Sequence, residues 1–193
     1  MEIKDIVRVM TRKGYAVFEN DSRGFNLNYV GIRDITSVNT FNDWLVMFWK
    51  YRGQWSSFWR PGTTDPGTYY LGDTMGNSLG TALLKEDQYR GAWKLGLHRG
   101  KYKALVQRKE VTVIRDANKD GKLDLDGAED TGYFGINHHH AGEDSTVVNN
   151  WSAGCQVDSN LALYNIAVQL WEASAEEWGE GITYTLLNVT DFE

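Results

Sequence analysis

Residues 134–157 read FGINHHHAGEDSTVVNNWSAGCQV, a stretch that holds three of the four histidines and the only cysteine of the 193-residue chain. Alternate side chains of a strand point to opposite faces, so a strand over 134–140 puts His138 and His140 on one face and His139 on the other. From 139 to 155 is 16 residues, too far for His139 and Cys155 to share one element. A strand ending near 139, an exposed loop over 141–150 and a return at 151 would bring them together. A nucleophilic thiol needs a base and a group that orients it, which makes Cys155 the candidate nucleophile and His139 the candidate base. Ser152-Ala153-Gly154-Cys155 is a turn of small residues. Gly154 permits a sharp bend, leaving the N–H groups of Ala153, Gly154 and Cys155 to face a developing oxyanion. A helix starting just after Cys155 would favour its thiolate, and such a thiol is expected to alkylate quickly near neutral pH.

Outward from this stretch, the pattern is mostly β. Strand-like pieces are 15–20, 26–34, 44–61, 67–71, 93–107, 110–116 and 182–189. Within 44–61, Arg52-Gly53 divides two aromatic-rich runs and predicts a hairpin. Helical spacing appears at Ile3, Ile6, Val7 and Met10, and again over 158–178, where Leu161, Tyr164, Val168 and Trp171 form an apolar stripe that Asp158 or Ser159 can cap. Eight Trp and ten Tyr concentrate in the strands, where packing alone enriches aromatics. A β-layer core is therefore the expected reading of 44–59, and a glycan- or peptide-binding platform the other.

The formal charge of -6 gives no cationic field for nucleic acid. A single Cys excludes an internal disulfide. No stretch reaches the length of a membrane span, and the charged N-terminus lacks a signal-peptide h-region. Synthesis in the cytoplasm, no membrane insertion and a monomer are the expectations.

The segment DANKDGKLDLDG (116–127) places Asp116, Asn118, Asp120 and Asp124 at positions 1, 3, 5 and 9 of a calcium loop, with Gly121 at its turn. Position 12 is Gly127, so Asp126 or Glu129 would have to substitute. Strand-like flanks leave an Asp/Asn/Gly hairpin turn as the metal-free reading. A zinc site from His138 and His140 with Glu143 or Asp144 is a further alternative.

GINHHHA followed by WSAGCQV resembles the signature of the L,D-transpeptidase catalytic domain (YkuD-like), G-(I/V)-x-(I/L)-H-G and then S-H-G-C. Gly135-Ile136 matches the family's Gly-Ile, His139 its His, and Ser152 and Cys155 its Ser and Cys. TTDPGTYYL (63–71) looks like the family's T-P-x-G-x-(F/Y) strand. The resemblance implies an α+β, mainly β fold: an L,D-transpeptidase-like β-sandwich with a short N-terminal helix and a longer helix after the Cys. Residues 61–193 would be the catalytic domain, and residues 1–60 an N-terminal helix plus strands, separate or integral to it. It further implies a Cys thiol attacking an amide of a peptidoglycan stem peptide, without a required cofactor. Water resolving the acyl-enzyme would make a hydrolase of endolysin type, and an amine a cross-linking enzyme. Without an export signal, hydrolysis by a phage-type enzyme released at lysis is the expectation. Ser152 and Gly154 would shape the oxyanion pocket, and His98, Arg99, His138, His140 and Trp151 would meet substrate. Ala153 replaces the family's second His, and Gln156-Val157 lacks its Arg, whose charge Arg99, Arg90 or Lys101 would have to supply. The reading from a different class is a non-catalytic wall- or glycan-binding module stiffened by calcium.

Overall fold

The computed structural model describes residues 1–72 and 77–193. After the helix α1 (Ile3–Arg12), strands β1 (Asn28–Arg33), β2 (Asp43–Tyr51) and β3 (Gln54–Thr63) lead into the short helix α2 (Thr68–Leu71). Then come β4 (Thr81–Leu84), β5 (Gln88–His98), β6 (Tyr102–Gln107), β7 (Val111–Asp116), β8 (Ala128–Gly132), β9 (His138–His140) and β10 (Gln156–Asp158). Helix α3 (Leu161–Trp178) and strand β11 (Ile182–Asn188) follow. The chain is thus mainly β, 39% strand against 19% helix, with a sandwich-like β body. Its hydrogen bonds close that body into a barrel in the order β1-β11-β5-β6-β9-β10-β3-β2, while β4, β7 and β8 form a separate three-stranded sheet.

The pattern of the sequence explains most pairings. Arg52 and Gly53 both have positive φ (50° and 75°), which the tight β2–β3 turn requires because its twist matches the flanking strands. Arg99 and Gly100 do the same between β5 and β6. Two pairs run parallel: β1 with β11, and β9 with β10. Parallel neighbours need long connections, and residues 141–155 provide the one between β9 and β10. Strands from residues 28–63 pair with β10 and β11, so the first third of the chain is built into the barrel.

β1 is buried on both faces. Tyr29 points to the barrel core with Trp93, Tyr184, Leu105 and Trp171. Val30 and Ile32 pack outward against Ile6, Val9 and Met10 of α1. Gly31 lets Tyr184 lie across the strand: a Cβ there would come 1.8 Å from the Tyr184 hydroxyl. Helix α3 inserts Tyr164, Ala167, Val168 and Trp171 into the same core.

Inside the barrel, Arg60 is 0% exposed. Its guanidinium pairs with Asp158 through Nε, hydrogen-bonds Tyr29 (Nη2 to Oη, 3.3 Å) and lies over the rings of Tyr29, Phe58 and Trp171. A charge this deep requires its counter-ion.

Four expectations change. Residues 15–20 are extended but unpaired in any sheet, because side-chain amides occupy their backbone. Gln88 exchanges two hydrogen bonds with Ala16, and Asn28 two with Phe18. Residues 68–71 form a helical turn instead of a strand. The cap of α3 is Asn160, whose side chain accepts from Leu163 N (3.0 Å), since Asp158 is held in β10 by Arg60. Helix α3 therefore starts six residues beyond Cys155, with β10 between, and its N-terminus does not abut the thiol.

Asp158→Asn should leave the Arg60 charge buried and uncompensated, lowering the unfolding free energy by about 3–5 kcal/mol. Urea denaturation followed by tryptophan fluorescence measures it.

Candidate active site

The parallel register of β9 and β10 sets Gln156 beside His138, Val157 beside His139 and Asp158 beside His140. Cys155, one residue earlier, flanks Asn137. Its Sγ accepts a hydrogen bond from Asn137 N (3.4 Å), and Asn137 O accepts one from Gln156 N (2.9 Å). Extending the strands' period-2 alternation by one residue gives Cys155, Asn137 and His139 one face, with Cys155 and His139 diagonal neighbours. No hydrogen bond joins the thiol to an imidazole among the described residues. The thiol instead points toward Gly135 O (3.8 Å).

His139 is 3% exposed. Its Nδ1 lies 2.9 Å from the carbonyl oxygen of His140. A carbonyl only accepts, so Nδ1 carries the proton and Nε2 presents a lone pair. The neutral form is strongly favoured: desolvation drives the pKa down to about 3, with His98, His140 and Arg99 adding to the effect and the His140 carbonyl opposing it. Burial likewise raises the Cys155 pKa, while the Asn137 N–H and the Arg99 charge pull it down. The resting site is therefore a neutral thiol near a neutral imidazole. Burial therefore works against the low-pKa thiolate expected from the sequence, and α3 begins too late for its N-terminus to oppose that.

His98 is 9% exposed. It stacks on His139 with centroids 4.1 Å apart and planes 28° apart, and its Nδ1 receives the Asn137 side-chain amide (3.1 Å). His98 thus packs directly on the candidate base. His98, Arg99, Lys101, Tyr102, His139, Asn150 and the exposed Trp151 line one cavity of about 170 Å³. Arg90 is elsewhere, over the Phe18 ring and lining a cavity with Trp178.

Ser152, 0% exposed, donates to Cys155 O (2.8 Å) and accepts from Gly154 N (3.1 Å). It thereby locks the turn, and takes the Gly154 N–H out of the set of oxyanion donors. The Ala153 and Cys155 N–H groups make no hydrogen bond among the described residues. Gly154 has φ 117°, and a Cβ there would stand 1.9 Å from Ala82 O, so β4 backs the turn directly.

His138 does not face substrate. Its ring lies in the barrel among Tyr29, Trp93 and Tyr184, with Nδ1 3.1 Å from Tyr29 Oη. His140 packs on Tyr102 and Tyr164 and borders a different cavity. The zinc reading loses its ligands accordingly, and no group of three His, Cys, Asp or Glu able to hold a metal is found among the described residues. Asp116, Asn118, Asp120 and Asp124 lie together on the β7–β8 loop, away from the histidines.

Asn137 and Gln107 escaped the sequence reading. Gln107 Oε1 accepts the N–H groups of Phe134, Gly135 and Ile136 (3.0, 3.0 and 3.2 Å), fixing the segment that lies against the sulfur. Asn137 was legible as the residue two before His139, on its face. Gln107 carried no local signal. No helix is long and apolar enough to cross a membrane among the described residues.

Folded His139 binds its proton near pH 3 and an unfolded His near 6.5. Its contribution is therefore present above pH 6.5 and lost as pH falls toward 3. Asp43, raised to about 7 by burial and by Asp65, works in the opposite direction. The test is consequently a difference: His139→Gln should lower the acid slope of stability between pH 6 and 4 by about one proton, ~1.4 kcal/mol per pH unit. Urea titrations across that range read it.

No family model matches the chain, and no curated protein or solved structure does.

Proposed function

We propose that the chain is a cysteine-dependent peptidoglycan enzyme of L,D-transpeptidase type, cleaving stem-peptide amides through an acyl-enzyme. The observation that carries this reading is the parallel β9–β10 register, which sets Cys155, the residue before β10, beside Asn137 and two positions along from His139, with the His139 Nδ1 proton held by a backbone carbonyl. That carbonyl is the third group a thiol–imidazole pair requires. The resemblance of GINHHHA and WSAGCQV to the family's two motifs supports the same residues.

As the Cys155 sulfur bonds to the amide carbon, its proton passes to His139 Nε2 and the carbonyl electrons move to oxygen. The Ala153 and Cys155 N–H groups are the available donors to that oxyanion. Collapse breaks the C–N bond, and His139 returns the proton to the departing amine. Water then attacks the thioester, with His139 taking its proton, and the thiol is regenerated as the acid leaves. Both groups are neutral at rest, so proton transfer accompanies attack instead of preceding it. Arg99 and Lys101 on the rim of the 170 Å³ cavity supply charge for a substrate carboxylate.

Cross-linking is the second reading. A groove of about 410 Å³, lined by Tyr70, Ala82, Arg115, Tyr133, Phe134 and the Ala153 of the nucleophile turn, offers space for an amine acceptor.

Purified muropeptides, analysed by mass spectrometry, test both. Cys155→Ala should abolish turnover at an unchanged melting temperature, and His139→Gln should reduce kcat roughly 10²–10⁴-fold. Hydrolysed products support the first reading and dimers the second. Full activity of Cys155→Ala would refute both.

A further inference from the structure

The β7–β8 connection, residues 117–127, contains an electrostatic problem that the thiol site does not explain. Asp116 closes β7 and is 1% exposed. One carboxylate oxygen, Oδ2, accepts from Asp124 N (3.0 Å). The other, Oδ1, is buried and has no hydrogen-bond partner among the described residues. No Lys, Arg or His forms an ion pair with Asp116, Asp120 or Asp124 among the described residues. A buried carboxylate oxygen with no partner, at the head of a loop carrying two more carboxylates, is costly unless a cation joins them.

The backbone already curls in the sense a cation needs. Asn118 Oδ1 accepts Asp120 N (3.1 Å), and Asp120 Oδ1 accepts Lys122 N (2.8 Å). Asn118 Nδ2 bridges to Asp124 Oδ2 (2.5 Å), so positions 3 and 9 of the loop already touch. No three carboxylates stand in a finished metal geometry among the described residues. Closing the site requires this amide to turn its oxygen inward, exchanging its hydrogen bonds with Asp120 N and Asp124 for a metal bond. Position 12 cannot contribute: a Cβ at Gly127 would lie 2.1 Å from Arg115 O. Glu129 is also committed, to Lys85 (2.5 Å).

We propose that residues 116–124 form a calcium site whose ligands are the side chains of Asp116, Asn118, Asp120 and Asp124 and the carbonyl of Lys122, with water completing the shell. All donors are oxygens, and a flexible loop lacking the bidentate Glu suits calcium, which accepts irregular shells, over magnesium, which demands a near-ideal octahedron. Affinity should fall in the weak range of about 10⁻⁴–10⁻³ M. The site is linked to the wall behind Cys155. Gly121 N donates to Leu71 O (3.3 Å), and β7 pairs with β4, whose Ala82 carbonyl backs Gly154. This inference stands apart from the thiol reading and does not need it.

The test uses the full chain stripped with chelator, then calorimetric titration and thermal melts with calcium or magnesium chloride at about 10 mM and equal ionic strength. Calcium should raise the melting temperature by roughly 3–10 °C, with little response to magnesium. Asp120→Asn keeps the acceptor for Lys122 N and should fold normally without calcium, yet bind it at least tenfold more weakly. Asp116→Asn removes the unpaired charge, so it should melt at or above the wild-type temperature in chelator and lose the calcium response. Absence of a calcium shift in the wild-type chain overturns the proposal. So does an equal shift with magnesium, or an Asp120→Asn response matching that of wild type.

Discussion

Three residues of β9 pair with three of β10, and the arrangement of the candidate site depends on that short parallel ladder. It is held at its end by the buried Arg60–Asp158 pair, with β3 hydrogen-bonded along its other side. Sliding the register by one residue would exchange the faces: His139 would enter the aromatic core and His138 would emerge beside the thiol. Tyr29 and Tyr184 guard against that slip. Tyr29 hydrogen-bonds His138, and Tyr184 donates to Gln156 Oε1 (2.7 Å). The polar interior of this barrel therefore specifies which histidine meets the outer face, a use of buried polarity distinct from stability.

The same burial fixes the chemistry's starting point. Desolvation disfavours charge on both partners, pushing the imidazole down and the thiol up. A site built this way holds its proton on sulfur until a substrate arrives. Arg99, on the β5–β6 turn, is the main nearby positive charge acting to ease thiolate formation, and a bound carboxylate would compete for it. On the proposed function, the cation that would position substrate and the cation beside the nucleophile are one residue.

Much of this was legible in the sequence. Alternation alone separated His139 from His138, because a strand's period of two leaves no freedom about which neighbours share a face. The Arg52-Gly53 hairpin and the stripe from Tyr164 to Trp171 were readable because each depends on local geometry. What escaped depends on partners distant in the chain. Residues 15–20 look like a strand, yet side-chain amides from Gln88 and Asn28 satisfy them. Residues 68–71 carry β-formers in a turn set by their surroundings. The parallel closures β1–β11 and β9–β10 leave no mark on either strand. Nothing local to His98 announces that β6 and β9 would place His139 under its ring. Gln107 clamps three amides from across the barrel with no motif of its own.

The central claim is that Cys155 carries the acyl group. Intact-protein mass spectrometry on chain mixed with muropeptide and quenched in acid within the first turnover tests it most directly. The account predicts a mass increase equal to the acyl fragment, mapped by peptide digestion to Cys155 and accumulating when His139 is replaced by Gln in the presence of an activated ester substrate. Turnover with the Cys155 peptide unmodified at every time point would contradict it.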